Sequence, residues 1–154
     1  MKLKLRSPHS GEIVEFDISH LISNKTLNFA KNDEVHCDSG VYQFNRIEKL
    51  VYTEAASEKF DLKNRGEGIN ESKKTTSFSF FQRKVIRKCT DGPVLSLGCG
   101  TMYWDNKLKL KSEIVPTDVS EHMLRIGIAR KRFNFGIRAS GTNLPFSDGQ
   151  FAVS

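Results

Sequence analysis

A short apolar run that ends in two closely spaced glycines most limits what this chain can fold into. The run V-L-S-L at 94–97 is typical of a buried parallel strand, and Gly98 and Gly100 follow it directly. Glycines at this place let the chain turn sharply and let a ligand approach bare backbone N–H groups. A second apolar run, 114–117, ends in Asp118, where the ribose of a nucleotide needs a hydrogen-bond acceptor. Strand, glycine turn, helix, strand and acid in this order predict half of a nucleotide-cofactor site.

Two common nucleotide motifs do not fit this turn. A dinucleotide fingerprint G-x-G-x-x-G requires glycine at the position of Tyr103. A phosphate-binding Walker A loop requires Gly-Lys-Ser/Thr after the turn, and residues 102–104 read M-Y-W. The turn therefore predicts a different nucleotide cofactor.

Three motifs in the second half of the chain resemble those of a known family. The stretch V-L-S-L-G-C-G-T at 94–101 resembles the first motif of class I S-adenosylmethionine (SAM)-dependent methyltransferases, usually V-L-D-L-G-C-G-T-G. Residues 117–124 (T-D-V-S-E-H-M-L) are similar to the family's D-x-S-x-x-M-L passage, and 143–151 (N-L-P-F-S-D-G-Q-F) to its L-P-F-x-D-x-x-F-D passage. The resemblance implies an α/β fold with the Rossmann-like parallel sheet of this family. That sheet would be incomplete at the C-terminus, since the sequence reaches only the beginning of a fourth strand.

The resemblance also implies which residues contact the cofactor, SAM. Asp118 matches the acid that binds the ribose, while Ser96 and Ser140 occupy the positions of the acids that contact the methionine ammonium and the adenine edge. The full set of expected contacts is Ser96, Gly98, Cys99, Gly100, Asp118, Val119, Met123, Ser140, Gly141 and Thr142. No catalytic residue is matched. His122, the nearest titratable candidate, is expected to face solvent.

Four departures from the family pattern bear on binding. Serine replaces a carboxylate at Ser96 and at Ser140, and Ala152 replaces the acid after the L-P-F passage. Losing a hydrogen bond to a charged group costs on the order of 1.5–3 kcal/mol. Met102, which replaces a glycine, is expected to place a side chain where the cofactor meets bare backbone. We therefore expect weak cofactor binding, and no methyl transfer by the 154-residue chain alone.

Composition divides the chain into three segments. Residues 1–52 carry strand-like pieces and turn residues without a helical period, and they predict a small β-ribbon. Residues 53–76 are charged and polar, with several Gly and Asn, and they predict a linker or a lid. Residues 77–154 hold the N-terminal half of the SAM-binding domain.

Helices and strands of the last segment follow from periodicity. A helix is predicted from Thr76 or Ser77, and its apolar face consists of Phe78, Phe81, Val85 and Cys89. Parallel strands are predicted near 93–97, 113–117 and 135–139, with a helix that begins near Ser120 between the last two. The first strand is expected to lie centrally, because ligands of such sheets bind at a topological switch point.

The N-terminal segment resembles a zinc ribbon that has lost its ligands. The sequence S-P-H-S-G at 7–11 has the shape of a C-P-x-C-G knuckle with both cysteines replaced by serine, and 37–44 resembles the second half of a ribbon that precedes the SAM domain in some methyltransferases. A structural zinc requires four N or S ligands, and the candidates are Cys37, His9 and His36. We predict a ribbon without metal.

Charge and composition bear on partners and compartment. The net charge of +6 permits an acidic partner such as RNA, but the lysines and arginines are dispersed, which is typical of solvated faces. No run approaches the roughly 18 apolar residues of a membrane span, and the N-terminus lacks the apolar core of a signal peptide. Three scattered cysteines do not form a disulfide framework. The sequence predicts a cytoplasmic protein with no membrane contact.

Three functional hypotheses follow. The first is a SAM-dependent methyltransferase, or a fragment of one, that acts on a small-molecule acceptor. The second is an rRNA or tRNA methyltransferase, since a zinc ribbon also precedes the SAM domain in some of those enzymes. The third is a catalytically inactive pseudoenzyme that serves as a binding module. A complementing chain would be a further partner if the enzyme is split, and the acceptor itself is not specified by these residues.

Overall fold

The computed structural model describes residues 1–29, 33–44, 53–64, 92–103, 105, 110 and 112–152. The predicted helix from residue 76 or 77, with Phe78 to Cys89, lies outside the described residues, as do residues 45–52, the end of the predicted lid and the last two residues. The strands of the described part are β1 (Lys2–Arg6), β2 (Ile13–Asp17), β3 (Thr26–Phe29), β4 (Asp33–Asp38), β5 (Val41–Gln43), β6 (Val94–Leu97), β7 (Ile114–Asp118) and β8 (Gly136–Arg138). Its helices are α1 (Ile18–Ser23), α2 (Glu54–Asn64) and α3 (Glu121–Ala129).

The parallel strands predicted in the second half of the chain are confirmed. β6 pairs in parallel with β7, and β7 pairs in parallel with β8. The helix between the last two strands, α3, begins after Ser120, whose hydroxyl accepts a hydrogen bond from the backbone N–H of Met123 and so caps the helix. The chain is thus an α/β protein, and the carboxyl ends of β6, β7 and β8 lie at one edge of the sheet.

Three strands of the N-terminal segment belong to this same sheet. The strand order is β3-β4-β5-β8-β7-β6, in which β5 runs parallel to β8 with Val41 opposite Gly136 and Gln43 opposite Arg138. β4 pairs antiparallel with β3 on one side and with β5 on the other, so the six-stranded sheet is mixed. β1 and β2 form a separate antiparallel ribbon. The division into domains at residue 52 stays a prediction, but the sheet itself crosses that boundary.

The prediction that the first parallel strand lies centrally is wrong for the described residues, because β6 is at the edge of the sheet. β7 occupies one side of β6. On the other side, the backbone N–H of Ala152 donates to the carbonyl of Pro93 at 2.9 Å, just before the strand begins. The chain that leaves β8 therefore returns to the open side of β6.

The two faces of the sheet are covered by different elements. Side chains alternate between faces along each strand. On one face, Leu95, Val115 and Ile137 share a buried cluster with Leu3 and Leu5 of the ribbon. On the other face lies α3, whose Leu124 would be 3.0 Å from a Cβ atom placed on Gly136. The sheet is thus sandwiched between the ribbon and α3.

A helix that the sequence analysis did not predict occupies the beginning of the linker-or-lid segment. α2 follows Thr53, whose hydroxyl accepts a hydrogen bond from the backbone N–H of Ala56 at 3.2 Å. Its sequence E-A-A-S-E-K-F-D-L-K-N consists largely of good helix formers. The Gly and Asn residues that favoured a loop are concentrated after its end. α2 packs against α3, and α1, also not predicted, joins β2 to the turn before β3. None of the helices in the part of the chain described here is long and apolar enough to cross a membrane.

Candidate functional site

Three turns meet at the carboxyl edge of the parallel strands. The turn after β6 is tied to β7 by a hydrogen bond from the N–H of Cys99 to the carbonyl of Thr117, at 3.2 Å. The chain after β8 is tied to β7 by a bond from the N–H of Ala139 to the carbonyl of Asp118, at 3.1 Å. A Cβ atom on Gly141 would lie 3.8 Å from Cδ2 of Leu97, at the end of β6. The structure thus brings most of the predicted cofactor contacts to one edge.

The glycine turn is open on its outer side. Gly98 and Gly100 have φ angles of 64° and 53°, in the left-handed region that favours glycine. A Cβ atom on Gly98 would meet no described atom within 4 Å, and one on Gly100 would meet Cε1 of Phe60 at 4.0 Å. A ligand can therefore approach the backbone of this turn without displacing a described side chain.

Asp118 connects the glycine turn to the start of α3. Its Oδ2 accepts a hydrogen bond from the N–H of Gly100 at 2.8 Å, and its Oδ1 accepts one from the N–H of Ser120 at 2.7 Å. The side chain is buried, with the residue only 8% exposed. Each carboxylate oxygen can accept a second hydrogen bond, so Asp118 retains acceptor capacity for hydroxyl groups.

The expectation that Met102 places its side chain on the open side of the turn, where a cofactor would meet bare backbone, is wrong. Met102 adopts the left-handed conformation that a glycine would adopt, with φ of 52°, and its residue is only 3% exposed. Its side chain is therefore directed into the protein interior. The backbone keeps the shape of a glycine turn although the residue is not glycine.

A carboxylate that the sequence analysis missed lies beside Ser96. The hydroxyl of Ser96, which is buried at the end of β6, donates to Oδ1 of Asp105 at 2.7 Å. Burial, together with the negative charges of Asp118 and Asp105, raises the pKa of the Cys99 thiol well above its usual range. The glycine turn thus has two carboxylates near it, Asp118 against the N–H of Gly100 and Asp105 against the hydroxyl of Ser96. The one signal in the sequence is that Asp105 is the only acid between Thr101 and Glu113.

The remaining predicted contacts differ in their placement. Val119 is half-buried, and its carbonyl accepts from Nε of Arg138 at 3.3 Å, whereas the side chain of Met123 is buried beneath α3. After β8, the hydroxyls of Ser140 and Thr142 lie 2.8 Å apart. These two residues form a polar turn at the carboxyl edge, and His122 at the start of α3 is half-buried.

A buried ionic cluster joins α2 to the glycine turn, and no sequence motif indicated it. Asp61 of α2 is fully buried and accepts hydrogen bonds from Oγ1 of Thr101 and Nη1 of Arg132, both at 2.5 Å. Nε of Arg130 lies 2.9 Å from its other carboxylate oxygen. Burial alone would raise the pKa of Asp61, but the hydrogen bonds from Arg132 and Thr101 and the two positive charges hold it below its usual value. The arginines were expected to lie on solvated faces, but Arg130 and Arg132 instead neutralise the buried Asp61.

The degenerate knuckle of the N-terminal segment is organised around a carboxylate. Asp33 accepts hydrogen bonds from the hydroxyl of Ser7 and from the N–H of Ser10, and these bonds lower its pKa although its burial opposes them. Cys37 lies on β4, packed against the apolar core, and burial raises its pKa. Among the described residues, no group of three or more His, Cys, Asp and Glu side chains could hold a metal ion.

Comparisons with known proteins add no assignment. No family model matches the chain, and no curated protein is significantly similar to it.

Proposed function

We propose that this chain binds SAM at the carboxyl edge of β6 and β7, and that it is a SAM-dependent methyltransferase, or part of one, with a small-molecule acceptor. The observation that carries the proposal is the contact between Asp118 and the N–H of Gly100, which holds an acceptor carboxylate beside an open glycine turn. The connection β6, β7, α3, β8, with all three strands parallel, supports a Rossmann-like unit of the methyltransferase type.

The chemistry of the side chains fits SAM, which carries a ribose diol, an ammonium group and a positively charged sulfonium. Asp118 would accept from the ribose hydroxyls, because its two oxygens retain lone pairs. Asp105, hydrogen-bonded to Ser96, would supply a carboxylate to the ammonium group, so the serine at the end of β6 does not leave this edge without an acid. The polar turn at Ser140 and Thr142 would border the adenine.

When bound, SAM would supply the methyl group of its sulfonium to a nucleophile of the acceptor and would leave as S-adenosylhomocysteine. The part of this chain in that reaction is to bind and orient the cofactor, since alignment of two reactants is itself a large contribution to rate. The bare backbone at Gly98 and Gly100 leaves room for close approach. Two carboxylates near the turn favour a cationic ligand over a neutral one of the same shape.

Calorimetric titration with SAM tests the proposal, with two glycine variants as a matched pair. Gly98→Ala and Gly11→Ala impose a similar backbone cost, because both glycines have positive φ, 64° and 73°, and a Cβ atom on either meets nothing within 4 Å. Gly98 borders the proposed site, whereas Gly11 lies in the turn between β1 and β2. We expect Gly98→Ala to weaken SAM binding at least about tenfold, a loss of about 1.4 kcal/mol, and Gly11→Ala to bind as the original chain does.

Two results would contradict the proposal. One is the absence of SAM binding by the original chain at millimolar cofactor, and the other is an equal affinity of the two glycine variants. A second assay addresses methyl transfer: the chain is incubated with methyl-labelled SAM and cell extract, with Asp118→Ala as the control. Label above the control would contradict the expectation that the chain alone transfers no methyl group. Such label in small molecules supports the proposed acceptor class, whereas label confined to RNA would favour the RNA methyltransferase instead.

A further inference from the structure

The helix α2 is attached to the rest of the protein in an unusual way. Its buried side chains are Ser57 and Asp61, whereas its apolar Phe60 and Leu62 are 44% and 36% exposed. Surface helices normally dock through an apolar stripe. The docking of α2 therefore depends on polar contacts, and those of Asp61 are the strongest, since they join a carboxylate to two guanidinium groups.

The partners of Asp61 belong to the glycine turn and to the chain after α3. Thr101 lies in the turn itself and donates its hydroxyl to the carboxylate. Arg132, whose side chain is 9% exposed, also donates to the carbonyl of Thr101 at 3.1 Å, and its guanidinium lies 5.2 Å from the centre of the Tyr103 ring. One buried cluster thus fixes both α2 and the turn after β6.

The residue before Asp61 faces the open side of the turn. Cε1 of Phe60 lies 4.0 Å from a Cβ position on Gly100, and the ring remains 44% exposed. Because Phe60 and Asp61 are adjacent on one helix, the buried carboxylate determines where this aromatic ring stands. The ring forms one wall of the space in which a ligand would contact Gly98 and Gly100.

We infer that Asp61 is a positioning residue whose hydrogen bonds and ion pairs hold α2 against the glycine turn, an attachment called the lock below. We also infer that Phe60, on the helix held in this way, contacts the ligand of that turn. The lock is a property of the free protein. The identity of the ligand rests on the function proposed above, and the two parts are tested separately.

Hydrogen exchange of the ligand-free full chain tests the lock. Asp61→Asn keeps an oxygen that can accept from Thr101 but removes the charge that pairs with Arg130 and Arg132. We expect the amides of α2 and of residues 100–102 to exchange faster by a factor on the order of a hundred, because one partner of a buried ion pair is removed. The control is Glu58→Gln on the same helix, whose side chain is 48% exposed and 3.3 Å from Arg130; it should change exchange by less than about twofold.

Two outcomes of this experiment would overturn the lock. One is unchanged protection of α2 in Asp61→Asn, and the other is an equal loss of protection in β7 and β8, which would mean that Asp61 supports the whole fold rather than α2. Thr101→Val is a milder variant, because valine has the shape of threonine but lacks the hydroxyl that donates to Asp61. It should raise exchange in α2 about tenfold while β7 and β8 stay protected, and a protected α2 in this variant would equally refute the lock.

Titration with SAM tests the ligand contact. Phe60→Ala should weaken SAM binding about tenfold, while Leu62→Ala, on the outer side of the same helix, should leave it unchanged. Asp61→Asn should weaken binding at least as much as Phe60→Ala. If the original chain does not bind SAM, the proposed function fails, and the exchange data still decide the lock. If the chain binds SAM and Phe60→Ala binds it equally well, the ligand contact is refuted.

Discussion

Met102 sets two contributions to stability against each other. Its left-handed backbone conformation costs a residue with a side chain about 1–2 kcal/mol, while its buried side chain contributes to the core. Alanine and glycine at this position both remove the buried side chain, but only glycine also removes the backbone cost. The residue thus keeps the shape of the turn at the expense of strain.

We expect Met102→Gly to be more stable than Met102→Ala by about 1 kcal/mol, the reverse of the order found in a helix. Loss of the buried side chain should make both variants less stable than the original chain by about 2–5 kcal/mol. In the glycine variant, relief of the backbone strain offsets part of this loss. Urea unfolding of the three proteins measures the free energies of unfolding. An alanine variant as stable as the glycine variant would mean that the left-handed conformation at residue 102 carries no cost.

The sequence predicts some residues of the site better than others, for a physical reason. Gly98 and Gly100 are found because glycine reports a local backbone conformation, and Asp118 because it ends a recognisable strand. Asp105 reaches Ser96, nine positions away, only because of the path of the irregular chain after the glycine turn, and Asp61 meets Thr101 across 40 positions of the chain. Met102 misled the prediction because the direction of a side chain cannot be deduced from its size.

At the scale of single elements, α3 contains a glycine where a helix former would be expected. A Cβ atom on Gly127 would overlap the ring of Phe133 and would lie 3.2 Å from the carbonyl oxygen of Thr101. The glycine therefore permits close packing of α3 against the glycine turn and against the chain that follows the helix.

We expect Gly127→Ala to lower the free energy of unfolding by about 1–3 kcal/mol, although alanine favours a helix by about 1 kcal/mol. Phe133→Leu in the same chain should recover part of the loss, since the smaller side chain makes room. A double-mutant cycle by urea unfolding measures this coupling, which should be roughly 0.5–3 kcal/mol. Strictly additive effects would show that the ring and the helix do not compete for this space.

The docking of α2 should weaken at low pH, because it depends on the ionised carboxylate of Asp61. The folded-state pKa of Asp61 is lowered, so its contribution is complete above the ordinary aspartate pKa of about 3.9 and is lost as the pH falls through the lower folded value. We expect amide protection in α2, corrected for the intrinsic pH dependence of exchange, to be constant from neutral pH to about pH 4 and to fall below it. Asp61→Asn should lack this step. A step of the same size in both proteins would assign it to another group.

Elements with a clear periodicity were predictable, and short or polar ones were not. The sequence predicts α3 from its apolar residues at helical spacing and from the capping residue Ser120. It predicts β6 and β7 from their short apolar runs. β5 has three residues, too few to show alternation, and its pairing with β8 depends on a partner far away in the sequence. α2 buries polar side chains, so its sequence has no apolar stripe from which the helix could be predicted.

For the whole molecule, the ribbon β1–β2 and the parallel strands share one core. Leu5 is fully buried, lies opposite Phe146, and belongs to the same cluster as Leu95, Val115 and Ile137. A substitution that destabilises the ribbon should therefore destabilise the sheet as well.

We expect Leu5→Ala to lower the free energy of unfolding by about 2–5 kcal/mol, a large part of the about 5–15 kcal/mol that stabilises a typical domain. Amide exchange in β1 and in β7 should accelerate by the same factor, because the two would unfold together. Faster exchange in β1 with no change in β7 would show instead that the ribbon opens as an independent unit.

The strand order has a consequence for the kinetics of folding. The hydrogen bond between Lys4 and Gln150 joins residues 146 positions apart, and that between Gln43 and Arg138 joins residues 95 positions apart. Loops of such length must close before the burial that stabilises them is gained, so folding should take roughly milliseconds to seconds rather than microseconds. During synthesis, β5 is made long before β8, and its free edge and apolar side chains stay uncovered until residues 136–150 emerge from the ribosome. That interval is when aggregation competes most strongly with folding of this chain.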